Sequence, residues 1–185
     1  MQGQWWRLIT AIFIHFGTLH LVFNCLWLAQ LGPALEGLLG RSRFAVLYVL
    51  TGAGGFAMSI AYRLISGTIV GIGGGASGAV FGLIGAALTL TYIRKVPGSS
   101  FFSEGLLKWA LFGLVMSLLP GIDLAAHIGG ALIGFGMALA MGTADRRARH
   151  LSKGLWLLTE IGCLLVLGFA FALAMLYPSP TLIGQ

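Results

Sequence analysis

Six stretches of this chain are long, apolar and almost free of charge, and they dictate its solvent. A helix crossing ~30 Å of hydrocarbon needs ~20 mostly apolar residues, with a working range of ~17–25. The approximate limits here are Leu19–Leu39, Phe44–Leu64, Ser77–Ile93, Leu106–Leu119, Leu124–Met141 and Leu155–Tyr177. The fourth is short and carries Lys108 near its start. Charged residues make up 9% of the chain, against ~25% in soluble domains, so an ordinary globular protein is excluded. Hydrophobic residues make up 58%, which excludes disorder as well. The expectation is an all-α polytopic membrane protein with about six transmembrane helices. Trp5–Phe16 is apolar but too short to span. It reads as an interfacial or partly buried segment, with Trp5, Trp6 and Arg7 at headgroup level. Met1–Thr10 is aromatic and polar and does not read as a cleavable signal peptide.

The formal net charge of +6 would suit nucleic acid if the basic residues formed one surface. They lie between the apolar stretches instead. Arg41 and Arg43 separate spans one and two. Arg94, Lys95 and Lys108 flank the connection from three to four, and Arg146, Arg147, Arg149 and Lys153 lie between five and six. The opposite set of loops holds only Arg7 and Arg63. Lys/Arg excess marks the cytoplasmic side, so both termini are expected outside, and spans one, three and five run inward. No nucleic-acid partner is expected; the lipid bilayer is. Short loops point to a bacterial inner membrane. Cys25 and Cys163 lie inside apolar stretches and indicate neither a disulfide framework nor a zinc site.

Strongly polar residues inside a span default to a functional hypothesis. Span one carries His20 and Asn24, four apart and so on one face. Span three opens with Ser77, and span five carries His127. Asn24 stands 17 residues before Arg41, Ser77 17 before Arg94, and His127 19 before Arg146. At 1.5 Å per residue these intervals are roughly 25–29 Å, so three inward-running helices place the three residues at similar depth. Gly78 with Gly82, and Gly130 with Gly134, are small-xxx-small pairs that let helix backbones approach closely in lipid. If those faces oppose each other, the outer ends of spans three and five meet, and Ser77 and His127 sit at those ends.

That pairing has a chemistry. A serine hydroxyl is a weak nucleophile until a base takes its proton, and histidine titrates in the useful range. The run Gly71-Ile72-Gly73-Gly74-Gly75 before Ser77 can turn the chain into the helix, whose first turn has unpaired N–H donors and a partial positive charge. An oxyanion formed on Ser77 would lie near those donors, with Asn24 and His20 adding side-chain N–H groups, each worth ~10²–10³ in rate. Each residue also has an ordinary reading. A lone serine in a membrane helix usually back-bonds to the i−4 carbonyl. A lone histidine is usually a packed polar group, and Asn24 alone could link helices at ~0.6 kcal/mol. A metal site on His15, His20 and His127 lacks a carboxylate or an HExxH pattern. Asp123, four residues before His127, is placed to tune that histidine but is a weak candidate for an orienting acid. His150 reads as solvated, and Glu36 as structural.

Four motifs in order resemble those of the rhomboid intramembrane serine proteases. Trp6-Arg7 is similar to the family's Trp-Arg pair, and His15 to Asn24 (HFGTLHLVFN) resembles its HxxxxHxxxN segment. Gly75-Ala76-Ser77-Gly78 is similar to GxSG, and Ala126-His127-Ile128-Gly129-Gly130 with Gly134 to AHxxGxxxG. GxSG alone is a weak signal; the four together are specific, and they cover Trp5–Met141. The resemblance implies a rhomboid-like helical bundle and a Ser–His dyad without a third acid. Ser77 would be the nucleophile and His127 the general base. His20, Asn24 and the Ser77 backbone N–H would form the oxyanion hole. Gly75, Gly78 and Gly130 would support the site, and Phe81 would stack on the catalytic histidine. It implies no cofactor and no metal. The implied substrates are single-pass or polytopic membrane proteins, cut in or near a transmembrane segment. The oligomeric state is left open.

The family core has six spans, the first of them before the Trp-Arg loop. On that pattern the first core helix is expected to be missing from this chain. Residues 1–144 are then a catalytic core, 145–153 a basic cytoplasmic loop, and 154–185 an additional C-terminal helix with a short tail. The alternative readings are a non-catalytic rhomboid-like binder of membrane proteins or an inactive truncated form. A small transporter has little support, because no inverted repeat with paired broken helices is present.

Overall fold

The computed structural model describes residues 3–68, 73–97, 99, 105–141 and 149–177, the side chains of 149–153 excepted. Among the described residues seven helices follow in chain order: α1 (Arg7–Thr10), α2 (Thr18–Leu39), α3 (Arg41–Ile65), α4 (Ser77–Leu88), α5 (Leu106–Met116), α6 (Leu124–Met141) and α7 (Arg149–Leu176). Ala11–Phe13 continues α1 as a 3-10 turn, and Thr89–Ile93 continues α4 as a π-turn. No strand occurs among the described residues. All six apolar stretches are helical. α2, α3, α6 and the Gly154–Leu176 part of α7 are long and apolar enough to cross a membrane, while Ser77–Ile93 and Leu106–Met116 are shorter. The segment 5–16 is the expected non-spanning piece, made of α1 and its 3-10 continuation.

The differences from the expected limits have local causes. α5 ends at Met116 rather than Leu119. Pro120 disfavours helical backbone at the residue before it, and Gly121 follows at a φ of +86°. α3 starts at Arg41 rather than Phe44, because Gly40, at a φ of +82°, ends α2 and starts α3 in a single residue. α7 starts at Arg149, so the expected basic loop 145–153 is helical from that residue on. Arg146 and Arg147, which carry part of the charge asymmetry, lie outside the described residues, as do Gly71, Ile72 and the tail after Tyr177. So do the side chains of His150 and Lys153.

α4 sits at the centre. Gly78, Ala79, Val80, Gly82, Leu83, Ile84, Gly85, Ala86 and Ala87 are all buried, so nearly every face of this helix packs on protein. α2, α3, α5 and α6 all contact it. The α4–α6 seam is made of glycine. A Cβ built on Gly130 would fall on the Gly78 carbonyl, one on Gly134 on the Gly82 carbonyl, and one on Gly85 on the Ala131 carbonyl. The two small-xxx-small pairs therefore face each other, backbone against backbone. α3 closes the third side, where a Cβ on Gly55 would lie 2.6 Å from the Ala126 carbonyl oxygen. The outward surfaces are apolar. Leu111, Val115, Leu164, Leu165 and Phe169 are all at least half exposed, a surface suited to lipid.

α7 packs on α1 and α3. Ring contacts join Trp5 to Phe169 (6.4 Å between centroids), Trp6 to Tyr177 (5.9 Å) and Phe13 to Phe171 (5.5 Å). Lower on the helix, the buried Glu160 accepts from Ser42 Oγ (2.5 Å) and pairs with Arg41 Nε (3.3 Å). A carboxylate in an apolar helix needs such partners.

Candidate active site

Three helices begin at one end of the bundle, and their first two turns supply the polar residues. The loop entering α4 is pinned before the helix starts: Gly75 N–H donates to the Ala11 carbonyl (2.9 Å), and Ala76 N–H to His15 Nε2 (3.3 Å). Gly75 has a φ of +129°, which a side chain rarely adopts, and a Cβ there would lie 2.6 Å from His20 Nε2 and 3.7 Å from Ser77 Oγ. The lack of a side chain at this position thus leaves a space between the His20 imidazole and the Ser77 hydroxyl. Ser77 is the first residue of α4. Its N–H belongs to the helix's unpaired first turn and has no partner among the described residues.

Ser77 Oγ lies 2.7 Å from His127 Nε2. His127 is 5% exposed and sits one turn into α6, directly across the glycine seam. Phe81, one turn beyond Ser77, stacks flat on the imidazole, with centroids 4.3 Å apart and planes 11° from parallel. The other ring nitrogen, Nδ1, is 2.5 Å from the hydroxyl of Ser117, just past the end of α5.

The third helix contributes His20 and Asn24. His20 Nδ1 accepts from Phe16 N–H (3.3 Å), which leaves the ring proton on Nε2, the nitrogen that faces Gly75. The His15 ring meets it edge-on at 5.0 Å. Asn24 is buried, and its Nδ2 donates one hydrogen to the His20 carbonyl (2.8 Å). Its second amide hydrogen remains available. Among the described residues no three His, Cys, Asp or Glu side chains gather as metal ligands.

Asp123 does not orient the imidazole. Its Oδ1 accepts from Ala126 N–H (3.0 Å) at the start of α6. Oδ2 accepts from Ser59 Oγ (2.5 Å) and Arg63 Nη2 (3.1 Å) on α3. The carboxylate holds the base of α6 to α3, one turn from His127. Ser117 is the residue that sequence pattern does not reveal: a lone serine ten positions before His127 carries no motif or period, and only the folding of α5 against α4 brings it there. Glu160 did have a signal, being a single carboxylate inside an apolar stretch.

The chain matches the model of the Rhomboid domain over residues 2–144. It is 34% identical over 167 residues to Rhomboid protease GluP of Bacillus subtilis (strain 168), covering 88% of this chain and 32% of that protein. With Putative rhomboid protease YdcA of the same organism it shares 35% identity over 135 residues, covering 72% of this chain and 66% of that one. With Rhomboid protease AarA of Providencia stuartii the figures are 31% identity, 76% of this chain and 57% of that one. The chain thus spans between about a third and two thirds of the length of these relatives.

Proposed function

The chain belongs to the rhomboid family, and on that premise we propose that it is an intramembrane serine endopeptidase cutting transmembrane segments of membrane-protein substrates. It is an integral membrane protein by family and by its apolar helices. The observation that carries the proposal is the 2.7 Å contact between Ser77 Oγ and His127 Nε2 in a site built on three helix starts. Ser77 attacks the scissile carbonyl while its proton passes to His127 Nε2. The negative charge on the carbonyl oxygen meets Ser77 N–H, His20 Nε2–H and the second hydrogen of Asn24 Nδ2. Collapse of this intermediate expels the amine, which takes the proton from Nε2, and leaves an acyl group on Ser77. Water, deprotonated by the same nitrogen, then releases the carboxylate and restores the hydroxyl.

Each supporting residue has a task in this scheme. Phe81 fixes the ring plane of the base by stacking, and Gly75 leaves room between the donors and the nucleophile. Gly78 and Gly130 set the distance between the helices that carry the dyad. The substrate must unwind locally, because a helix hides its carbonyls in its own hydrogen bonds. The Arg41, Arg43, Arg94 and Lys95 end of the bundle faces the cytoplasm, so the site opens outward, in a bacterial plasma membrane. A purely binding role gives no account of a hydroxyl held against an imidazole nitrogen. The test is reconstitution with a model transmembrane substrate: the wild-type chain releases a cut product and Ser77→Ala does not. Equal product from both proteins refutes the proposal.

A further inference from the structure

We propose that Ser117 is a positioning residue that fixes the tautomer of His127, the part a carboxylate plays where a third acid is present. The proposal rests on the Ser–His reading above, but its central test does not need catalysis. Three hydroxyl and imidazole hydrogens must be placed along the line Ser117–His127–Ser77. Ser117 Oγ lies 2.7 Å from the Gly113 carbonyl, the usual i−4 partner of a serine in an apolar helix, and 2.5 Å from His127 Nδ1. A hydroxyl has one hydrogen and two acceptor sites. With that hydrogen on the Gly113 carbonyl, the Ser117 oxygen accepts from Nδ1–H. Nε2 then carries a lone pair and accepts from Ser77 O–H (2.7 Å).

In this arrangement every one of the three hydrogens has an acceptor. In the reverse arrangement Ser117 donates to Nδ1 and Nε2–H donates to Ser77. The Ser77 hydrogen then has no protein acceptor among the described residues, since Nε2 is the only partner of that hydroxyl. Ser117 is 2% exposed and His127 5%, so the partner of Nδ1 on the Ser117 side is the protein hydroxyl rather than bulk water. Only the first arrangement presents a free Nε2 lone pair to the nucleophile. When the Ser77 proton arrives on Nε2, the resulting imidazolium still has its Nδ1–H held by the Ser117 oxygen. Asp123 is fully engaged by Ser59, Arg63 and Ala126, which leaves Ser117 as the polar group on that nitrogen.

The test combines nitrogen NMR of histidine-labelled protein in detergent with kinetics on the model substrate. The His127 signals are assigned by their loss in His127→Asn. We expect the wild-type ring proton on Nδ1, a mixture of tautomers in Ser117→Ala, and recovery of the Nδ1 form in Ser117→Thr. Ser117→Ala should lower kcat about 10–100-fold with KM within about twofold, a part of the ~10²–10⁴ that a positioned general base contributes; Ser117→Thr should recover most of it. A wild-type proton on Nε2 overturns the proposal, and that spectrum decides even if Ser117→Ala does not fold. Equal spectra and equal kcat in wild type and Ser117→Ala overturn it too. An Nδ1 proton that depends on Ser117, in a chain that cuts nothing, upholds the tautomer assignment and refutes the protease reading instead.

Discussion

Replacing Gly130 by alanine tests whether the glycine seam sets the catalytic distance. The added methyl would fall on the Gly78 carbonyl, and also close to the Gly78 carbonyl carbon and Cα, all of them backbone atoms that no rotamer change can move. The helices must separate. Overpacking of this kind costs typically ~1–3 kcal/mol, and rigid backbone on the receiving side places Gly130→Ala at the upper end. The functional loss should exceed the stability loss. Gly130 is one turn from His127, and Gly78 adjoins Ser77, so the separation acts directly on the 2.7 Å contact. A displacement of about 1 Å in a catalytic group lowers the rate by about 10²-fold. The control lies on the same helix: a Cβ on Gly136 meets nothing within 4 Å, and alanine there favours the helix by up to ~1 kcal/mol. Thermal unfolding in detergent and initial cleavage rates, measured on both variants, separate the two effects. If Gly130→Ala cuts within threefold of wild type, or Gly136→Ala is equally impaired, the seam does not set the distance.

Further outcomes follow from other contacts. Gly75→Ala combines a φ of +129° with a Cβ 2.6 Å from His20 Nε2, so cleavage should fall at least 10²-fold, the size of one lost oxyanion donor, as read from initial rates. His20→Ala should lower kcat by ~10²–10³ while leaving thermal stability nearly unchanged, because His20 is only partly buried. Asp123→Ala removes the α6 cap and the contacts to Ser59 and Arg63, so the melting temperature should drop by the equivalent of ~0.5–2 kcal/mol, with a parallel loss of rate because α6 carries His127. Glu160→Ala strips Ser42 and Arg41 of their partner and should loosen α7, seen as faster proteolysis of that helix at an otherwise similar cleavage rate.

Much of this was legible in the sequence because the constraints act locally or through a fixed depth. The apolar runs gave helices, since no other open segment satisfies its backbone in lipid. Ser77 and His127 were placed at one depth by residue counting. The pairs Gly78/Gly82 and Gly130/Gly134 said which faces are narrow enough to bring them together, and those faces do oppose each other. What was not legible depends on relations with no sequence period. The Asp123 carboxylate lies four residues from His127 in sequence but accepts from Ser59, Arg63 and the Ala126 N–H, while Nδ1 of His127 meets Ser117. Ser117, just past Met116 at the end of α5, reaches the imidazole only because α5 folds against α4. The aromatic clasp from α1 to α7 joins segments more than 150 residues apart.

The account turns on whether the hydroxyl of Ser77 is made nucleophilic by the imidazole of His127. A fluorophosphonate probe reads this directly, because it bonds covalently only to an activated serine. Mass spectrometry of the labelled chain should find the probe on Ser77 in the wild type, and no label at that position in His127→Ala of equal thermal stability. Label on Ser77 at the same rate in both proteins, or a folded wild-type chain that takes up none, contradicts the account.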